Sequence, residues 1–86
     1  MSVNEVKGTI RAGNRAAEEG KVLLEELAAD VDAIADAARH TLHDSQDDDV
    51  LAGLGKLKEA RREVTLTARR LTAAVEHANA YIAALG

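Results

Sequence analysis

Eighty-six residues with no cysteine, proline, tryptophan or phenylalanine, and with alanine making up about a fifth of the chain, amount to one domain at most and favour helix. The lack of cysteine excludes disulfides, thiol catalysis and thiolate metal sites, and a formal net charge of -4 argues against a general nucleic-acid binder, which carries a basic excess. No apolar run in MSVNEVKGTIR has the form of a cleavable secretory signal, and no stretch is long and apolar enough to span a bilayer. The expected location is the cytoplasm, and any export would use a route without a cleavable signal.

The first half of the chain repeats apolar or small residues by threes and fours: Val3, Val6, Ile10, Gly13, Ala17, Gly20, Leu24, Leu27, Val31, Ile34, Ala38 and Thr41. That spacing is a heptad, which keeps one seam facing a partner helix. SVNE opens it as a capping box, with Ser2 as N-cap and Glu5 three residues on. The spacing therefore predicts a helix over about 3–43.

HTLHDSQDDDV, residues 40–50, is the one stretch that resembles chemistry. His40 and His43 lie three apart and Asp44 or Asp47 could add oxygen ligands, but the helix that faces them offers only Asp49 as a third donor. A calcium loop would need a glycine and a terminal glutamate that this stretch does not have. The alternative accounts for every polar residue: histidines suit the last turn of one helix, aspartates suit the first turn of the next, and the chain reverses between them. SQDD supplies a second capping box, Ser45 with Asp48, so the turn is placed at about 44–45 and a second helix at about 46–85, ending at Gly86.

The second helix continues the heptad with Val50, Leu54, Leu57, Arg61, Val64, Ala68, Leu71, Val75, Ala78, Ile82 and Leu85. Two helices of nearly equal length joined by so short a turn predict an all-α antiparallel hairpin, one unit over 1–86, in which facing residues have numbers adding to about 92. That register sets Ile82 opposite Ile10, Val75 opposite Ala17, Leu71 near Gly20 and Ala68 opposite Leu24. It also sets Glu18, Glu19, Glu25, Glu26, Asp30, Asp32 and Asp36 beside Lys56, Lys58, Arg61, Arg62, Arg69 and Arg70. Gly13 and Gly20 are expected to let the helices approach, while Gly8, Gly53 and Gly55 are expected to fray or bend them. Arg61, charged in an apolar seam, is expected to reach toward Asp32 or another acid and to help set the register.

Leu23, Leu51 and Leu66, with alanine-rich flanks, make the apolar face wider than one facing helix covers, so a homodimer forming a four-helix bundle is expected. LAGLGKL is not a phosphate loop, and Ser2 and Ser45 serve as caps, so neither an enzyme nor a cofactor is expected. The arginines of the second helix could instead read as a face for nucleic acid or anionic lipid, but stacking aromatics are absent and acids face them.

With MSVNEVKGTIRAGNRAAEEG at its start, HDSQDDDV at its turn and AAVEHANAYIAALG at its end, the chain resembles a group of small actinobacterial helical-hairpin proteins. These occur alone or as N-terminal modules of polymorphic toxins, and the shape is more distantly similar to the WXG-type hairpins of type VII secretion. The resemblance implies a non-enzymatic interaction or targeting module, with itself, a helical protein or a toxin as partner. The alternative is a self-assembling structural or regulatory coiled coil with no secretion role.

Overall fold

A computed structural model describes residues 2–86. Two helices, α1 (Val3–Leu42) and α2 (Asp48–Leu85), lie antiparallel in a rod of 63 × 16 × 15 Å, an all-α two-helix hairpin with no strand among the described residues.

The start of α1 is set by Ser2, whose Oγ accepts the Glu5 amide at 3.1 Å while its carbonyl takes the first intrahelical bond from Val6. α1 ends at Leu42, with Arg39 and His40 in its last turn beside the exposed carbonyls. His43 Nδ1 lies 3.1 Å from the His40 carbonyl, and the Ser45 amide donates to the Leu42 carbonyl at 2.9 Å.

The cap of α2 differs from the expectation. Asp47, not Ser45, is the N-cap: its carboxylate accepts from the Asp49 and Val50 amides at 2.8 and 3.3 Å, and Asp48 is the first helical residue and no partner in a capping box. A charged acceptor binds orphan amides more strongly than a hydroxyl does. The Ser45 hydroxyl is already taken by the Asp47 amide at 3.2 Å, inside a turn that spans 43–47 instead of two residues. At the far end Gly86 adopts φ +87°, donates to the Ala83 carbonyl and accepts from Lys7 Nζ, tying the end of α2 to the first turns of α1.

Four contacts fix the register: Lys7 with Gly86, Asn14 with Asn79, Gly20 with Leu71, and Asp32 with Arg61, all pairs whose numbers add to 91–93. The eleven expected seam positions of α2, including Leu54, Leu57, Val64, Leu71, Val75 and Ile82, are all half-buried. In α1 one of the two expected columns holds from Ile10 on, Val3 being exposed, and of the other only Val6 and Gly20 are half-buried. Ile10, Ala17, Leu24, Val31 and Ala38 turn inward, but the second inward column is Asn14, Lys21, Ala28 and Ala35, four residues on instead of three. Leu27 and Ile34, expected in the seam, are exposed, whereas Ala28 and Ala35 are the two buried residues.

Size explains the choice. In this register Ala28 lies level with Val64 and Ala35 level with Leu57, so a small side chain meets a large one at each level; leucine or isoleucine there would force the helices apart. Gly13 is likewise displaced from the seam, with no atom within 4 Å of where its Cβ would stand, so it does not serve close approach. Gly20 does, since a Cβ there would sit 3.8 Å from Leu71 Cδ1. Neither helix is interrupted at Gly8, Gly53 or Gly55.

Candidate interaction surface

The heptad sorts the exposed residues onto two flanks. One flank carries charge. Asp32 accepts from Arg61 Nε at 3.1 Å, and Glu25, Asp32, Arg61, Thr65 and Arg69 line one shallow groove between the helices. Arg61 also donates to the Thr65 hydroxyl, which itself donates to the Arg61 carbonyl, so the seam guanidinium is held at both ends of its fork. Its side chain is 38% exposed and that of Asp32 56%, so the charge reaches water without leaving the seam.

Among the described residues this is the one ion pair that joins the helices; Arg39–Asp36 and Lys56–Glu59 are pairs within a helix. The facing acidic and basic runs therefore sit side by side without closing into a ladder, and Arg62, Arg69 and Arg70 lie beyond 4 Å of any described carboxylate. On this flank Asn14 Nδ2 donates to Asn79 Oδ1 at 2.9 Å. That pair was missed in the sequence, although two asparagines at matching levels of the predicted register are a readable signal.

The other flank carries no charge. In α1 its column is Gly13, Gly20, Leu27, Ile34 and Thr41; in α2 it is Gly53, Ala60, Thr67, Ala74 and Tyr81. Each column steps by seven and lies beside the seam on the side away from Asp32 and Thr65. Nine of these ten residues are exposed, Gly20 being half-buried, and Leu27, Ile34 and Tyr81 are 46%, 55% and 53% exposed. No described side chain is fully buried anywhere in the hairpin.

At the turn, His43 Nε2 lies 3.2 Å from Asp44, and its other ring nitrogen is taken by the His40 carbonyl. The described residues hold no group of three or more His, Asp or Glu side chains placed to share a metal ion. The turn's polar groups are used as caps: Asp47 for α2, and His43 with Ser45 for the last turn of α1. Among the described residues no helix is long and apolar enough to cross a membrane. Comparison with protein-family models, with curated protein sequences and with solved structures found no match to this chain.

Proposed function

We propose that the hairpin is a non-enzymatic interaction or targeting module that recognises helices through its uncharged flank, forming a homodimeric four-helix bundle with itself and serving type VII secretion or a toxin cargo through a helical partner. The observation that carries the interaction role is the placement of Leu27, Ile34 and Tyr81 on a flank without charge, outside a seam in which only Ala28 and Ala35 are buried. A seam this thin buries little apolar surface for 86 residues, and an exposed apolar stripe at helical spacing is the face that docks another helix. The association with secretion or a toxin rests on the resemblance in sequence pattern.

Affinity capture of the tagged protein from its native cell, compared with the Ile34→Glu variant, tests the reading. A secretion component or toxin bearing a similar hairpin, recovered by the native protein and lost with the variant, is the expected result. Recovery of the protein alone would remove the secretion role and leave the self-assembling coiled coil.

A further inference from the structure

The uncharged flank is self-complementary in one orientation. We propose that two copies pack flank to flank with their turns at opposite ends of the bundle, related by a two-fold axis through the level of Leu27 and Thr67. This deepens the homodimer reading above and rests on it.

The two columns nearly share a level at their middle members, because Leu27 and Thr67 have numbers that add to 94, close to the 91–93 of the register contacts, and so sit within a turn of one another across the hairpin. A two-fold axis through that level runs α1 antiparallel to its own copy and α2 likewise. Ile34 then falls close to the partner copy's Gly20, and Tyr81 close to its Gly53, each within about half a turn, so each of these exposed side chains comes over a position with no side chain. Around Gly53 there is open space where a Cβ would stand, so the hairpin itself leaves that hollow unfilled.

Charge decides between this arrangement and the one with turns together. Glu63 and Arg70 stand two turns apart on α2 at the edge of the flank, and neither has an ion-pair partner among the described residues. With turns apart, Glu63 of each copy lies level with Arg70 of the other, twice over. With turns together, Asp30 of each copy lies level with Glu63 of the other, which sets like charges across the contact. Residues 13–41 span about 42 Å at ~1.5 Å per residue. Over a rod 16 Å wide, that face covers on the order of 650 Å² per copy, roughly 1,300 Å² in all and within the range of stable dimers.

The chain has no native cysteine, so a single Ser45→Cys variant carries one spin label at each turn. About twenty residues separate the turn from the axis, so the proposed dimer gives a label-to-label distance of about 60 Å, whereas turns together would give less than about 30 Å. Ile34→Glu is expected to abolish the dimer in light scattering at concentrations where the native chain is dimeric, and Val22→Glu, on the other flank, to leave it intact; helical circular dichroism confirms that both variants fold. Glu63→Arg and Arg70→Glu each weaken the dimer, and the double variant restores it. A chain that is monomeric at every concentration overturns the homodimer reading and this inference with it. A dimer that survives Ile34→Glu, or that gives the short distance, overturns the inference alone.

Discussion

Replacing Arg61 by leucine should raise the stability of the hairpin. Arg61 occupies a seam position level with Val31, and its side chain is 38% exposed. A leucine there would bury roughly three-fifths of its surface, and full burial of such a side chain contributes ~1.5–3 kcal/mol, so the gross gain is about 1–2 kcal/mol. Part of that gain is already present, because the aliphatic stem of arginine covers the seam. The loss is the pair with Asp32, worth ~0–1 kcal/mol at this exposure, together with the bond to the Thr65 hydroxyl. Asp32 is more than half exposed and returns to water, so no buried charge is orphaned. Helix propensities of leucine and arginine are nearly equal. The net is about +0.5 kcal/mol, which for a domain of this size moves Tm up by ~2–4 °C. Thermal melts followed by circular dichroism at one fixed protein concentration read it, since dimerisation makes Tm depend on concentration. A fall of more than a few degrees would refute the reasoning, because the guanidinium contacts would then outweigh half-buried leucine. The register should loosen as stability rises, because the seam loses the charged residue that pairs across the helices.

Asp47→Ala should lower stability by ~1 kcal/mol through loss of the α2 cap, while Ser45→Ala changes it by much less; chemical denaturation of the two variants side by side checks the order, and a larger effect at Ser45 would put the cap back there. Ala35→Leu, placed level with Leu57, should lower stability by ~1–3 kcal/mol through overpacking, whereas Ala33→Leu on the exposed back of α1 should leave the melt nearly unchanged. Equal effects would mean that the second seam column of α1 is misplaced.

The antiparallel hairpin and its register were legible because the run of large apolar residues Leu54, Leu57, Val64 and Leu71 in α2 admits only one heptad phase. α1 admits two. Leu27 with Ile34 and Ala28 with Ala35 both complete the column begun by Leu24 and Val31, and ranking by hydrophobicity selects the leucine and isoleucine. The structure selects the alanines, since what decides is the size of the residue facing each position across the register. The turn was ambiguous in the same way. SQDDD contains several residues able to cap, and the charged side chain that reaches two amides at once prevails over the hydroxyl.

The displaced column and the exposed flank are one fact. Putting Ala28 and Ala35 inside lets the helices come close enough for Leu57 and Val64 to fill the seam, but it turns Leu27 and Ile34 outward beside Gly20 and Gly13. The hairpin thereby gives up apolar burial within the chain, and the surface it leaves is ordered, uncharged and about eight turns long. A seam with leucine and isoleucine at 28 and 35 would leave less apolar surface on the flank to recognise, but level with Val64 and Leu57 those side chains would force the helices apart. Reversing the assignment by exchanging both pairs, Leu27 for alanine with Ala28 for leucine and Ile34 for alanine with Ala35 for isoleucine, should therefore weaken self-association and crowd the seam together. If such a chain still dimerised as tightly as the native one, the flank would not be the contact.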